Sequence, residues 1–234
     1  MRFPFRLSAD LLKAKASRLF GDATPVIFHV VPSDECVAHA NNAGSPVIWL
    51  SETETPLHPG IGRVANALVE SGRHVFLHTS GYDLRPRIHE LRPDSRLFLT
   101  LEFAGRKEAH DKIVARPDAF HRSFESIRAA KLSGFLVAAH ITVRPETDAC
   151  DVGELIEFLD KKDVDGLIVS SGSRFSAADS TSLAETLADV RAMIRCSRWE
   201  NFSCLLEASY ATAAPARLPG KLSAANENAF EEGD

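Results

Sequence analysis

Short apolar runs alternate along the chain with longer stretches in which apolar residues recur every three or four positions. The runs are 25–31 (PVIFHVV), 46–51 (PVIWLS), 74–79 (HVFLHT), 96–103 (RLFLTLEF), 135–143 (FLVAAHITV) and 166–171 (GLIVSS). They are rich in β-branched and aromatic residues and bounded by turn formers, so they predict strands buried on both faces. Helical spacing predicts helices over 34–42, 60–71, 118–133, 149–161 and 178–196. Gly72 and Gly134 fall between a helix and the next strand, where a left-handed C-cap is wanted. Six strand-then-helix units in succession predict an α/β protein with a parallel sheet. Periodicity leaves an open doubly wound sheet and a barrel as alternatives.

The two ends differ from this middle. Residues 1–20 carry Arg2, Arg6, Lys13, Lys15 and Arg18 against Asp10, interleaved with Phe3, Phe5, Leu7, Leu11, Leu12, Leu19 and Phe20. This predicts a basic amphipathic helix from about residue 8 to 20 with Ser8 as N-cap. Such a helix either closes one end of the core or makes a weak membrane-surface or partner contact. Residues 211–234 hold Ala, Pro, Gly, Asn and Glu with few large apolar groups, which predicts a disordered acidic tail. Trp199, Phe202, Leu205, Leu206 and Tyr210 just before it are expected to cap the core. The chain therefore divides into an N-terminal helix (1–24), an α/β unit (25–210) and a tail (211–234).

Composition narrows the function classes. The 234 residues are 44% hydrophobic and 25% charged, which excludes collagen, coiled coil and wholesale disorder. No apolar run approaches the roughly 18 residues of a membrane span. The start of the chain carries no signal-peptide pattern, so a cytoplasmic location is expected. A net charge of −5 gives no reason to expect nucleic acid. There is no Gly-x-Gly-x-x-Gly after the first strand, no Walker loop and no Gly-x-Ser-x-Gly elbow. The four cysteines, Cys36, Cys150, Cys196 and Cys204, form no Cys-x-x-Cys pair and are expected to be reduced.

Several segments, in order, resemble the core of the radical S-adenosylmethionine superfamily, most of all its hopanoid adenosyl transferase-like branch. SPVIWLSETETPLHPGIG (45–62) looks like that branch's second strand, Gly-Gly-Glu-Pro loop and following Leu-His-Pro. GRHVFLHTSG (72–81) looks like its third strand ending in Thr-Asn-Gly, and RLFLTLEFAG (96–105) like its fourth ending in Asp-Gly. EAHDKIVARPDAF (108–120) resembles its Glu-His-Asp segment, and residues 127–148 and 164–172 continue the likeness, which spans 25–172. The resemblance implies a partial (β/α)6 TIM-like barrel with its site at the C-terminal strand ends. It also implies S-adenosylmethionine as cofactor, with Glu54, Ser80, Thr100, Glu102, His140 and Ser170 as binding candidates. It assigns no catalytic residue.

The chain departs from that family at four places. The family holds a four-iron cluster on Cys-x-x-x-Cys-x-x-Cys after the first strand, whereas Cys36 is the one cysteine between strands one and two here. A 4Fe-4S cluster is therefore not expected. The Gly-Gly-Glu-Pro loop aligns with Glu52-Thr53-Glu54-Thr55: Glu54 is kept, but both glycines are lost. Ala104 stands for the family's Asp and Ser80 for its Asn, and all of these changes weaken S-adenosylmethionine binding. In the barrel register, His29, Trp49, Ser51, His78, Thr100, Glu102, His140, Thr142 and Ser170 point inward. His29, His78, His140 and Glu102 would together suit a divalent metal such as zinc. Against this, a lone strand histidine is more often packed and hydrogen-bonded, and a one-residue slip would turn the whole set outward. His58-Pro59 is expected to start a helix, and His110 and Asp111 to cap or orient the loop before Ile113.

Together these readings predict a degenerate, cluster-free relative, non-catalytic or repurposed, that binds a small ligand or a partner protein. The alternatives are an active radical enzyme, transferring adenosyl to an isoprenoid lipid with unconventional cluster ligation, and a metal-dependent barrel enzyme.

Overall fold

Each of the six apolar runs forms a strand, and each strand pairs in parallel with its neighbour in the chain, in the order β1-β2-β3-β4-β5-β6. The strands are β1 (Ile27–Val30), β2 (Val47–Ser51), β3 (His74–Thr79), β4 (Leu97–Phe103), β5 (Leu136–Val143) and β6 (Gly166–Ser171). Between them lie α2 (Cys36–Ala43), α3 (Ile61–Glu70), α4 (Leu84–Arg87) with a 3-10 turn (Ile88–Glu90), α5 (Lys107–Ile113), α6 (Ala119–Leu132) and α7 (Ala149–Asp160). α1 (Phe5–Leu19) precedes the sheet and α8 (Ser180–Arg195) follows it. This computed structural model describes residues 4–21, 24–33, 35–51, 59–144, 146–162, 164–171 and 180–195. The readings made for Glu54, His58, Cys196, Cys204, residues 199–210 and the tail lie outside these residues.

The sequential order decides between the two architectures that periodicity left open. A doubly wound sheet reverses direction midway. Here every crossover runs the same way, so the helices collect on one face and the sheet curls into a half-barrel. Strand alternation then builds two cores. Ile48, Leu50, Val75, Leu77, Leu99, Leu101, Val137, Ile141 and Val169 face the helices. Val47, Trp49, Phe76, Phe98, Ala138 and Ile168 face inward, where Leu7 and Leu11 of α1 join them. α1 thus plugs the base of the half-barrel, and Asp10 on its side accepts a hydrogen bond from His74 Nε2 at 2.9 Å.

Ser8 does not cap α1. Its N–H already donates to the Pro4 carbonyl at 3.3 Å, so the helix begins one turn earlier, at Phe5. Sequence periodicity also missed α4 and α5, which are too short to show a period. Asp111, expected to cap or orient the loop before Ile113, lies inside α5 and reaches the segment that follows. Its carboxylate accepts from the Asp118 and Phe120 amides at 3.0 and 2.8 Å and opens α6. His110 Nδ1 accepts from the Ala104 N–H at 3.1 Å and pins the end of β4.

α3 lies so close to the 3-10 turn that a Cβ on Gly62 would stand 2.1 Å from the Glu90 carbonyl oxygen. Backbone on both sides leaves nothing flexible to give way. Gly62→Ala is expected to lower stability by about 3 kcal/mol, read as a shift in the urea midpoint at unchanged slope.

Candidate functional site

The strand register carries one set of residues to the inner face at the C-terminal ends of the strands. His29 pairs with Trp49, Ser51 with His78, His78 with Thr100, Glu102 with His140, and Thr142 with Ser170. All nine residues read as inward-facing therefore share one face. Trp49 forms the floor. Its ring lies 6.0 Å from His29, 5.4 Å from His78 and 5.4 Å from His140, and it stacks on Phe76 at 5.9 Å.

Above this floor runs a chain of hydrogen bonds. His140 Nε2 meets Ser170 Oγ at 2.7 Å, and His140 Nδ1 meets His78 Nε2 at 2.8 Å. Glu102 stands beside it, 3.9 Å from His78 Nε2. Its carboxylate accepts from Thr142 Oγ1 at 3.0 Å and faces Arg144 Nη2 at 3.9 Å. Burial lowers the pKa of His29 and His78, and lowers that of His140 well below the usual histidine value. The neighbouring histidines push His29 and His140 further down, while Glu102 pulls His78 partly back. The trio is therefore neutral at pH 7 and offers hydrogen bonds, not charge. Formal charge at the mouth comes from Glu102 and Arg144.

Neutral imidazoles in this order can pass a proton. With Ser170 donating to His140 and His140 donating to His78, a proton leaving the serine ends on His78, where Glu102 stabilises the cation. The arrangement is suited to general acid–base work on a ligand held at the mouth. Of the four residues read as metal ligands, His78 lies within hydrogen-bond distance of His140 and 3.9 Å from Glu102. His140 uses both ring nitrogens within the chain, and Glu102 is held by Thr142. Among the described residues no group of three His, Cys, Asp or Glu side chains is arranged to hold a metal ion.

The cofactor candidates separate. Thr100, Glu102, His140 and Ser170 come together on the inner face. Thr100 Oγ1 is buried there with no hydrogen-bond partner among the described residues. Ser80 lies exposed just beyond β3, its carbonyl accepting from Ser123 Oγ at 2.6 Å. Glu54 is outside the described residues. Sequence reasoning missed Arg144, although it shares the parity of His140 and Thr142. It also missed the bond between Asp10 and His74, whose partners are distant in the chain.

The model of the Radical SAM superfamily matches residues 25–159. No curated protein matches the chain. Among solved structures, SuiB of Streptococcus suis bound to S-adenosylmethionine is similar at a TM-score of 0.57 and 15% identity, over 76% of this chain and 50% of that one. SuiB bound to the precursor peptide SuiA is similar at 0.57 and 13% identity, over 76% and 49%. This chain thus spans about half the length of SuiB, and at these identities the likeness is one of fold.

Proposed function

Because the chain belongs to the Radical SAM superfamily, we propose that it uses the family's barrel mouth to bind a small polar ligand without four-iron radical chemistry, as a non-catalytic or repurposed member. The observation that carries this reading is the connection between β1 and β2. That segment holds α2, and its one cysteine, Cys36, is fully buried in the core between sheet and helices. A four-iron cluster needs several thiolates converging on one point, and the residues between these strands do not fit one. Cys150, the other described cysteine, is exposed at the start of α7.

The mouth supports the binding half of the proposal. Glu102 suits an amine or hydroxyl on the ligand, Arg144 an acceptor, and Thr100 and Ser170 further hydrogen bonds. S-adenosylmethionine is the first ligand to try, since SuiB was captured with it.

Protein reconstituted anaerobically with iron and sulfide is expected to hold no stoichiometric iron and to release no 5′-deoxyadenosine from S-adenosylmethionine under reducing conditions. Calorimetry on the iron-free protein tests binding separately, with Glu102→Gln expected to weaken it about tenfold. Four irons per chain with thiolate-to-iron absorption would overturn the cluster-free reading. Binding of S-adenosylmethionine that Glu102→Gln leaves unaltered would overturn the site.

A further inference from the structure

Four of the six large hydrophobic residues exposed among the described residues lie on α1 or at its end: Phe5, Leu12, Leu19 and Phe20, exposed by 83, 59, 86 and 91%. Phe5, Leu12 and Leu19 recur at i, i+7 and i+14, with Ala9 and Ala16 between them. They form one stripe along the roughly 22 Å of a fifteen-residue helix. The opposite stripe, Leu7 and Leu11, is fully buried in the inner core. α1 is therefore apolar on two sides. One side fixes it in the barrel base, and the other faces away from the sheet.

Charge says what covers the outer stripe. The helix sequence contains Arg6, Lys13, Lys15 and Arg18 and a single carboxylate, Asp10, which is held by His74. Arg6 and Lys13 are exposed beside the stripe. Lys13 also borders a cavity of about 230 Å³ that it shares with Asp10, Ser17, Thr24 and Arg73. Arg73 donates to the Gly44 and Ser45 carbonyls at 3.1 and 2.9 Å, which fixes its position there. Two cations thus stand beside a space large enough for a phosphate. The chain as a whole carries −5, so this basic patch is local to α1 and its surroundings.

An apolar stripe rimmed by cations is the layout of a helix that lies in the headgroup plane of a bilayer. Two copies of this chain packed stripe to stripe would bring their cations together. We propose that α1 is a docking surface for an anionic lipid bilayer. Phe5, Leu12, Leu19 and Phe20 enter the acyl boundary, and Arg6, Lys13 and Arg73 meet the phosphates. No helix among the described residues is long and apolar enough to cross the membrane, so the contact is interfacial. The ligand mouth, at the opposite strand ends, then points away from the lipid.

The test is co-sedimentation of the full chain with vesicles of phosphatidylcholine alone and of roughly 3:1 phosphatidylcholine to phosphatidylserine. Binding is expected to the mixed vesicles only, and to weaken as salt is raised. Leu12→Ser/Leu19→Ser is expected to abolish it. Arg6→Glu/Lys13→Glu is expected to weaken it by more than tenfold, at about fivefold for each positive charge lost. Both variants alter exposed positions, and an unchanged thermal melt confirms that they fold. Failure to bind mixed vesicles, or equal binding to both kinds, overturns the proposal. So does a dimer seen by light scattering that Leu12→Ser/Leu19→Ser dissolves while no vesicle binding occurs, which would assign the stripe to a second copy.

Discussion

Acidification from about pH 8 to about pH 5 is expected to lower the stability of this protein. Five histidines, His29, His74, His78, His110 and His140, have pKa values lowered in the fold, and burial is the first cause for each. Near His74 the Asp10 carboxylate opposes burial, and burial prevails. Above the ordinary value of 6.5 these residues are neutral in both the folded and the unfolded chain, and stability is at its full level. Below it the unfolded chain takes up protons that the folded chain refuses, so stability falls with pH. Each fully refusing histidine contributes a slope of about 1.4 kcal/mol per pH unit. Thermal melts should show a level Tm above about pH 7 and a steep fall below about pH 6.5. A level Tm down to pH 5 would mean that the folded protein takes up these protons, and that burial does not hold the mouth histidines neutral.

Trp49→Ala is expected to cost about 3–5 kcal/mol, the range for removing a large buried aromatic. Trp49 is 2% exposed and stacks on Phe76, which in turn lies parallel to Phe98 at 4.5 Å. Removing it leaves a space beneath His29, His78 and His140. Water entering that space would restore part of their hydration and raise their pKa values toward the ordinary range. The variant should therefore be less stable at pH 8 and less sensitive to acid than the parent. Urea titrations at about pH 8 and about pH 6 measure both effects. Trp49→Phe keeps a ring in place and should cost less than about 1.5 kcal/mol. A loss below about 1 kcal/mol for Trp49→Ala would show that the floor of the mouth is not a packed core.

The strands were legible because a parallel sheet covered on both faces writes itself as apolar runs. His74–Thr79 and Gly166–Ser171 carry the same bounds in sequence and structure. The other four are shorter than their runs by one to three residues, mostly at the N-terminal end, where hydrogen bonding rather than hydropathy sets the border. The inward set was legible because alternation fixes parity. Once His78 faces inward, so must Phe76 and, through the register, Thr100. What alternation could not supply was distance along the inner face. His29 and His140 share a parity but stand on strands that do not pair directly, and no local pattern tells whether four such side chains meet at one point. The hydrogen bond between Ser170 and His140 likewise joins residues thirty positions apart. It is fixed by rotamers that a sequence does not display.

The sequential strand order also shapes how the chain can assemble. Every sheet pairing joins a strand to the next one along, so the half-barrel can grow one βα unit at a time, each closing only a short loop. α1 stands outside this scheme. Leu7 and Leu11 belong to the same cluster as Phe98, Ala138 and Ile168, so the first helix is tied to the last strand across most of the described chain. Its docking site gathers side chains from β1 through β6. α1 thus adds long-range contacts to a stack of neighbour contacts and joins all six strands in one cluster.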